Sequence, residues 1–122
     1  MAFVKSTNII TDVALTVPNI SGGTNGKIVR VNGANTVTDA ANTDSAVLLN
    51  SLLIKINDIY YSYGYITGLT GLSPGSPYFL GTAGALLSAP PTPSASVKVV
   101  FLGFALNTTD LIFKPGTPIA GT

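Results

Sequence analysis

A chain of 122 residues is one domain by length, long enough to bury about two thirds of its unfolded surface, and without Cys it can make no disulfide. Charged residues are 9% of the chain against a usual share of about a quarter, while 46% is hydrophobic and the formal net charge is +1. These charges are scattered singly, which argues against a nucleic-acid footprint and a polybasic membrane anchor, and so thin a charged coat predicts that other subunits cover part of the surface.

In chain order, the first two dozen residues are set apart from the rest by Gly22-Gly23. This arm carries Phe3, Val4, Ile9, Ile10, Val13, Leu15 and Val17 with no compact body in which to bury them, so it is expected to dock on a neighbouring subunit or a larger surface. It lacks a basic stretch leading into an apolar run with a small-residue cleavage site, which points to synthesis in the cytoplasm. The longest apolar run, Val99 to Leu106, is far short of the roughly twenty residues of a membrane span.

Lys27 to Val31, Asn32-Gly33 and Ala34 to Thr38 read as a hairpin, because Asn-Gly accepts the positive φ that a type I′ turn needs at both central positions. Ser45 to Asn57 is ambiguous. Thr43 or Asp44 could cap a helix with Ala46, Leu49, Leu53 and Ile56 on one face, whereas Leu52, Ile54 and Ile56 suit a strand. Strands are favoured, since Asn50-Ser51 can turn and the next segment alternates.

In Ile59 to Ile66, strict alternation places Ile59, Tyr61, Tyr63 and Tyr65 on one face, a ladder of phenols. Ser73-Pro74-Gly75-Ser76 predicts a type II turn, Tyr78 to Leu80 a short strand, and Gly81 to Gly84 a turn into Ala85 to Ser88. The prolines of Ala89 to Ser96 predict an extended connection, followed by strands over Val97 to Leu106 and Leu111 to Phe113 and a loose tail from Pro115. Short β-rich runs between frequent turns predict an all-β fold, a small antiparallel β-barrel or sandwich, with an arm over 1–24, a body over 25–114 and a tail over 115–122.

His, Cys, Glu and Trp are all absent, which removes the usual general base, the soft metal ligands and the thiol nucleophile. An Asp pair for glycoside hydrolysis is outweighed by the placement of most Asp residues at predicted turns. Gly22 to Lys27 departs from a phosphate loop in spacing, and Ile28 stands where Ser or Thr would hold magnesium. Asp39, Asn42 and Asp44 do not fit a calcium-loop spacing. Pro74 to Pro77 and Pro90 to Pro93 match a modular-domain ligand only formally, and Asn19 to Ser21 and Asn107 to Thr109 match a glycosylation pattern that matters only in a secreted eukaryotic protein. The residues therefore assign no catalytic group, cofactor or metal. The phenol ladder suits a core or subunit interface better than a sugar platform.

From Asn25 to about Pro115 the chain resembles a β-rich module of bacteriophage virion proteins, including head-decoration, head-fibre and tail-fibre proteins. The residues that carry the resemblance are NGKIVRVNGANTVTDA (25–40), GYITGLTGLSPGSPYFLGTAGALLSAPPTPS (64–94) and VVFLGFALNTTDLIFKPG (99–116). Segment 46–56 departs from it by being more apolar. The resemblance implies a non-enzymatic virion protein, a capsid decoration, cement or head-fibre subunit acting as a homotrimer on the head. Its trimer contacts are expected at Tyr61, Tyr63, Tyr65, Val99 and Phe101, and its contact with the major capsid protein or another virion protein through the arm. The runner-up is a tail-fibre or receptor-binding module whose loops and exposed Tyr residues bind host-surface carbohydrate. A self-assembling fibre or surface-layer subunit unrelated to phage is a third reading.

Overall fold

Residues 14–121 are described by the structure, a computed structural model. The strands are β1 (Ala14–Val17), β2 (Ser21–Gly22), β3 (Lys27–Gly33), β4 (Thr36–Asp39), β5 (Leu52–Ile56) and β6 (Ile59–Ile66). They continue as β7 (Pro77–Leu80), β8 (Leu86–Leu87), β9 (Lys98–Val99), β10 (Phe101–Ala105), β11 (Leu111–Phe113) and β12 (Ile119–Ala120). Among the described residues, one ten-stranded sheet runs β2-β4-β3-β5-β6-β11-β10-β7-β8, with β1 also paired to β6, and β9 with β12 forms a separate pair. The sheet is not closed into a barrel, so the all-β fold takes its sandwich-like form.

Turn chemistry delimits these strands. Asn57 and Asp58, at φ 49° and 66°, join β5 to β6, and Ala83 and Gly84, at φ 53° and 72°, join β7 to β8. Two successive positive φ values define the type I′ turn, whose twist matches the strands it connects. Gly75, at φ 80°, sits third in the Ser73 to Ser76 turn, which is closed by the Ser76 N–H donating to the Ser73 carbonyl at 3.0 Å.

The architecture pivots on β6. Tyr60 and Tyr61 pair with both β1 and β5, while Gly64 pairs with both β1 and β11. A residue has only two edges, so β5 and β11 lie one after the other along the same edge of β6 and then diverge. The resulting halves of the sheet face each other across the main core. Ile28 and Ile54 come from one half and Leu102, Leu111 and Phe113 from the other, all 0% exposed. Each such side chain contributes about 1.5–3 kcal/mol of burial free energy.

The first half is buried on its other face too, where Val29, Val37, Leu53 and Tyr60 form a second cluster capped by Val17 and Ile20. That explains why Leu52 to Ile56 is apolar almost without interruption.

Several expectations are corrected. The described part of the arm belongs to the sheet: β1 pairs with β6 and β2 with β4. Gly22-Gly23 is not a linker. A Cβ on Gly22 would collide with the Val37 carbonyl, so glycine permits the close approach of β2. The Tyr60 hydroxyl and Lys55 Nζ then donate to the Gly22 carbonyl at 2.8 and 3.1 Å, and Lys55 also donates to Gly23. Phe3, Val4, Ile9, Ile10 and Val13 lie outside the described residues.

The 27–38 hairpin forms, but its loop is Ala34-Asn35 and the positive φ is on Asn35, at 58°, because a register shift between Val31 and Gly33 displaces the turn. Segment 45–57 divides into a 3-10 turn at Leu48–Asn50, which buries Leu49, and strand β5. The 97–106 strand breaks at the fully buried Val100, where the chain changes partners from β12 to β7 and β11. The tail is pinned by β12 and by the Gly116 and Gly121 N–H groups, each donating at 2.9 Å to the carbonyls of Phe101 and Ser94.

Candidate interaction surface

The described carboxylates are spent on local structure. Asp39 accepts from the Thr24 N–H and hydroxyl, both at 2.8 Å. Asp44 accepts from Arg30 Nε at 2.8 Å and the Ala41 N–H at 2.9 Å, while Asp58 is linked both ways to the Asn25 side chain. Among the described residues no three metal-ligating side chains converge.

Two open clefts border β6. One, about 370 Å³, lies between Thr16–Ile20 and Asp58–Tyr60. The other, about 380 Å³, lies between Leu49–Leu52 and Pro115–Thr117 over Ser62. Neither brings an acid and a base together.

Asp110, 9% exposed, anchors the loop between β10 and β11. Its Oδ2 accepts from the Tyr65 hydroxyl at 2.5 Å and Asn107 Nδ2 at 3.0 Å, and its Oδ1 from the Thr109 hydroxyl at 2.9 Å. Tyr65 first, then Asn107, Thr67 and Thr109, hold its carboxyl well below the usual carboxylate range. The same bond, with desolvation and the carboxylate charge, raises the Tyr65 phenol. The arrangement fixes the Tyr65 ring with its hydroxyl satisfied, while the residue stays 38% exposed.

That ring begins a row across the second half of the sheet. Tyr65 is opposite Ile112, Ile112 opposite Phe104, and Phe104 opposite Pro77. Partners in register project to one face. Their chain neighbours Ile66, Leu111, Phe113, Ala105 and Tyr78 are buried in the core, so this row faces outward. Phe101 and Phe79 extend it, their rings edge to face with centroids 6.0 Å apart, and Tyr63, 56% exposed, stands opposite Leu15 on the β1 side. The charge found there is Lys114, whose Nζ lies 5.5 Å over the Phe104 ring.

The predicted interface residues part company in this frame. Between Tyr61 and Tyr63 β6 advances two residues while β1 advances one, leaving Ser62 as a bulge. The bulge inverts the alternation: Tyr61 and Ile66 both pack on the main core, and the single phenol ladder does not exist. Tyr63, Tyr65 and Phe101 lie on the outer face, whereas Val99 belongs to the β9–β12 pair. Ile112, Phe104 and Phe79 share that outer face without having been singled out in the sequence. The signal for them is the apolar residue between two buried ones in Leu111-Ile-Phe113, Gly103-Phe-Ala105 and Tyr78-Phe-Leu80.

No protein-family model, no curated protein and no solved structure matches the chain.

Proposed function

We propose that this chain is a non-enzymatic structural subunit of a bacteriophage virion, a capsid decoration, cement or head-fibre protein that assembles with copies of itself and binds the head. The observation that carries the assembly part is the aromatic outer face of β6, β11, β10 and β7, where the charge found among the described residues is Lys114 and which matches the core of a subunit contact in composition. The virion part is supported by the resemblance over residues 25–115.

The test is light scattering to fix the oligomeric state, then co-sedimentation of the full chain with phage heads and, separately, with tails. Saturable binding of an oligomer to heads is the expected result. Failure to join heads at any ratio removes the decoration reading.

The exposure of Tyr63 favours one alternative, a tail-fibre module that stacks this ring on host carbohydrate. Under it, Tyr63→Ala abolishes glycan binding and leaves assembly intact. Tyr61→Ala is not the informative variant, because Tyr61 packs on the core.

A further inference from the structure

We infer that residues 1–13 of one copy lie across the outer face of a second copy, joining subunits by exchanged N-terminal segments; this deepens, and rests on, the self-assembly proposed above. The exit point of the chain is the first reason. β1 runs antiparallel to β6 with Ala14 opposite Gly64, so the N-terminal end of β1 lies beside Tyr65, at the head of the outward row that runs to Pro77. Leu15, opposite Tyr63 and 46% exposed, already stands at the margin of that face.

Composition is the second reason. Phe3, Val4, Ile9, Ile10 and Val13 outnumber the charged Lys5 and Asp12, which suits a face whose charge is a lysine already placed over a phenyl ring. Reach is the third. Thirteen extended residues span up to about 43–47 Å. The four strands β6, β11, β10 and β7 are about 14 Å across. Docking between copies rather than within one chain accords with the self-association that a chain with only 9% charged residues calls for. Each copy then gives one segment and receives one, an arrangement that closes into a ring and in which simultaneous contacts reinforce one another.

The absence of Cys from the chain makes single cysteines clean reporters. Full-length Ile10→Cys and Tyr63→Cys chains, one with a size tag, are co-expressed and oxidised, and the Ile9→Asp/Ile10→Asp chain is compared with wild type by light scattering. The expected results are a mixed-size disulfide dimer, conversion of the Asp variant to a monomer, and about tenfold faster maleimide labelling of Tyr63→Cys when that pair is introduced. An oligomer unaffected by the Asp pair, or a disulfide found only within a doubly substituted chain, overturns the inference. An exchanged oligomer that ignores phage heads keeps it while removing the virion reading. A chain that saturates heads as a monomer does the reverse.

Discussion

Asp110 shows how one side chain can set the geometry of a surface. Its carboxylate collects hydroxyl and amide donors from β6 and from its own loop, so Asp110→Ala strands several of them and should lower the melting temperature more than Tyr65→Phe, which removes one. Because folding depresses this pKa, the contribution is fully present above the unfolded carboxylate value near pH 4, declines as pH falls below that value and is gone once pH has passed the folded value. The gap in melting temperature between wild type and Asp110→Asn should therefore hold at pH 4 and close well below it. Tyr65 has the opposite sign: its raised pKa leaves its contribution intact below about pH 10, with loss as pH rises through the folded value.

Gly103 makes a different demand. At φ 140° its missing Cβ would strike the Ile112 carbonyl, whereas Gly75, at φ 80°, has open space around it. Gly103→Ala should cost about 2–4 kcal/mol and Gly75→Ala about 1, measured by chemical denaturation.

At the level of elements, turns carry the local order. Ala83 holds a positive φ of 53° that glycine adopts freely, so Ala83→Gly should stabilise the β7–β8 hairpin by about 0.5–1 kcal/mol, read from the denaturation midpoint. The turns at Ser73 to Ser76 and Gly81 to Gly84 were legible in advance, because a positive φ or a fixed proline φ is a property of one or two residues. The bulge at Ser62 was not. Nothing in Ile59 to Ile66 marks where an extra residue enters, since the insertion answers to β1, from a distant part of the sequence.

At the scale of the whole molecule, the sheet divides at β6 into a half buried on both faces and a half buried on one. The exposed half is apolar and carries little charge, so self-association through it should persist undiminished in about 1 M NaCl, where contacts between charges are screened. Sedimentation velocity across a salt series checks this; an oligomer that dissociates as salt rises would point to ion pairs instead. Phe113→Ala, at the centre of the shared core, should cost about 3–5 kcal/mol and reduce assembly only through loss of fold.

The amino-acid order alone accounts for the all-β class, the positions of most turns and the strands at 27–31, 59–66, 78–80 and 111–113, because dihedral preference and two-residue periodicity act between near neighbours. It also shows a chain without His, Cys, Glu or Trp. Which face of each strand is buried lay beyond it, since Leu52 to Ile56 and Phe101 to Ala105 are apolar on both sides and alternation has nothing to contrast. That choice came from the partners each strand found. Tyr65, Ile112, Phe104 and Pro77 share a surface only because three antiparallel registers bring them together, and residues 14–22 join the sheet only because β6 and β4 offer them edges.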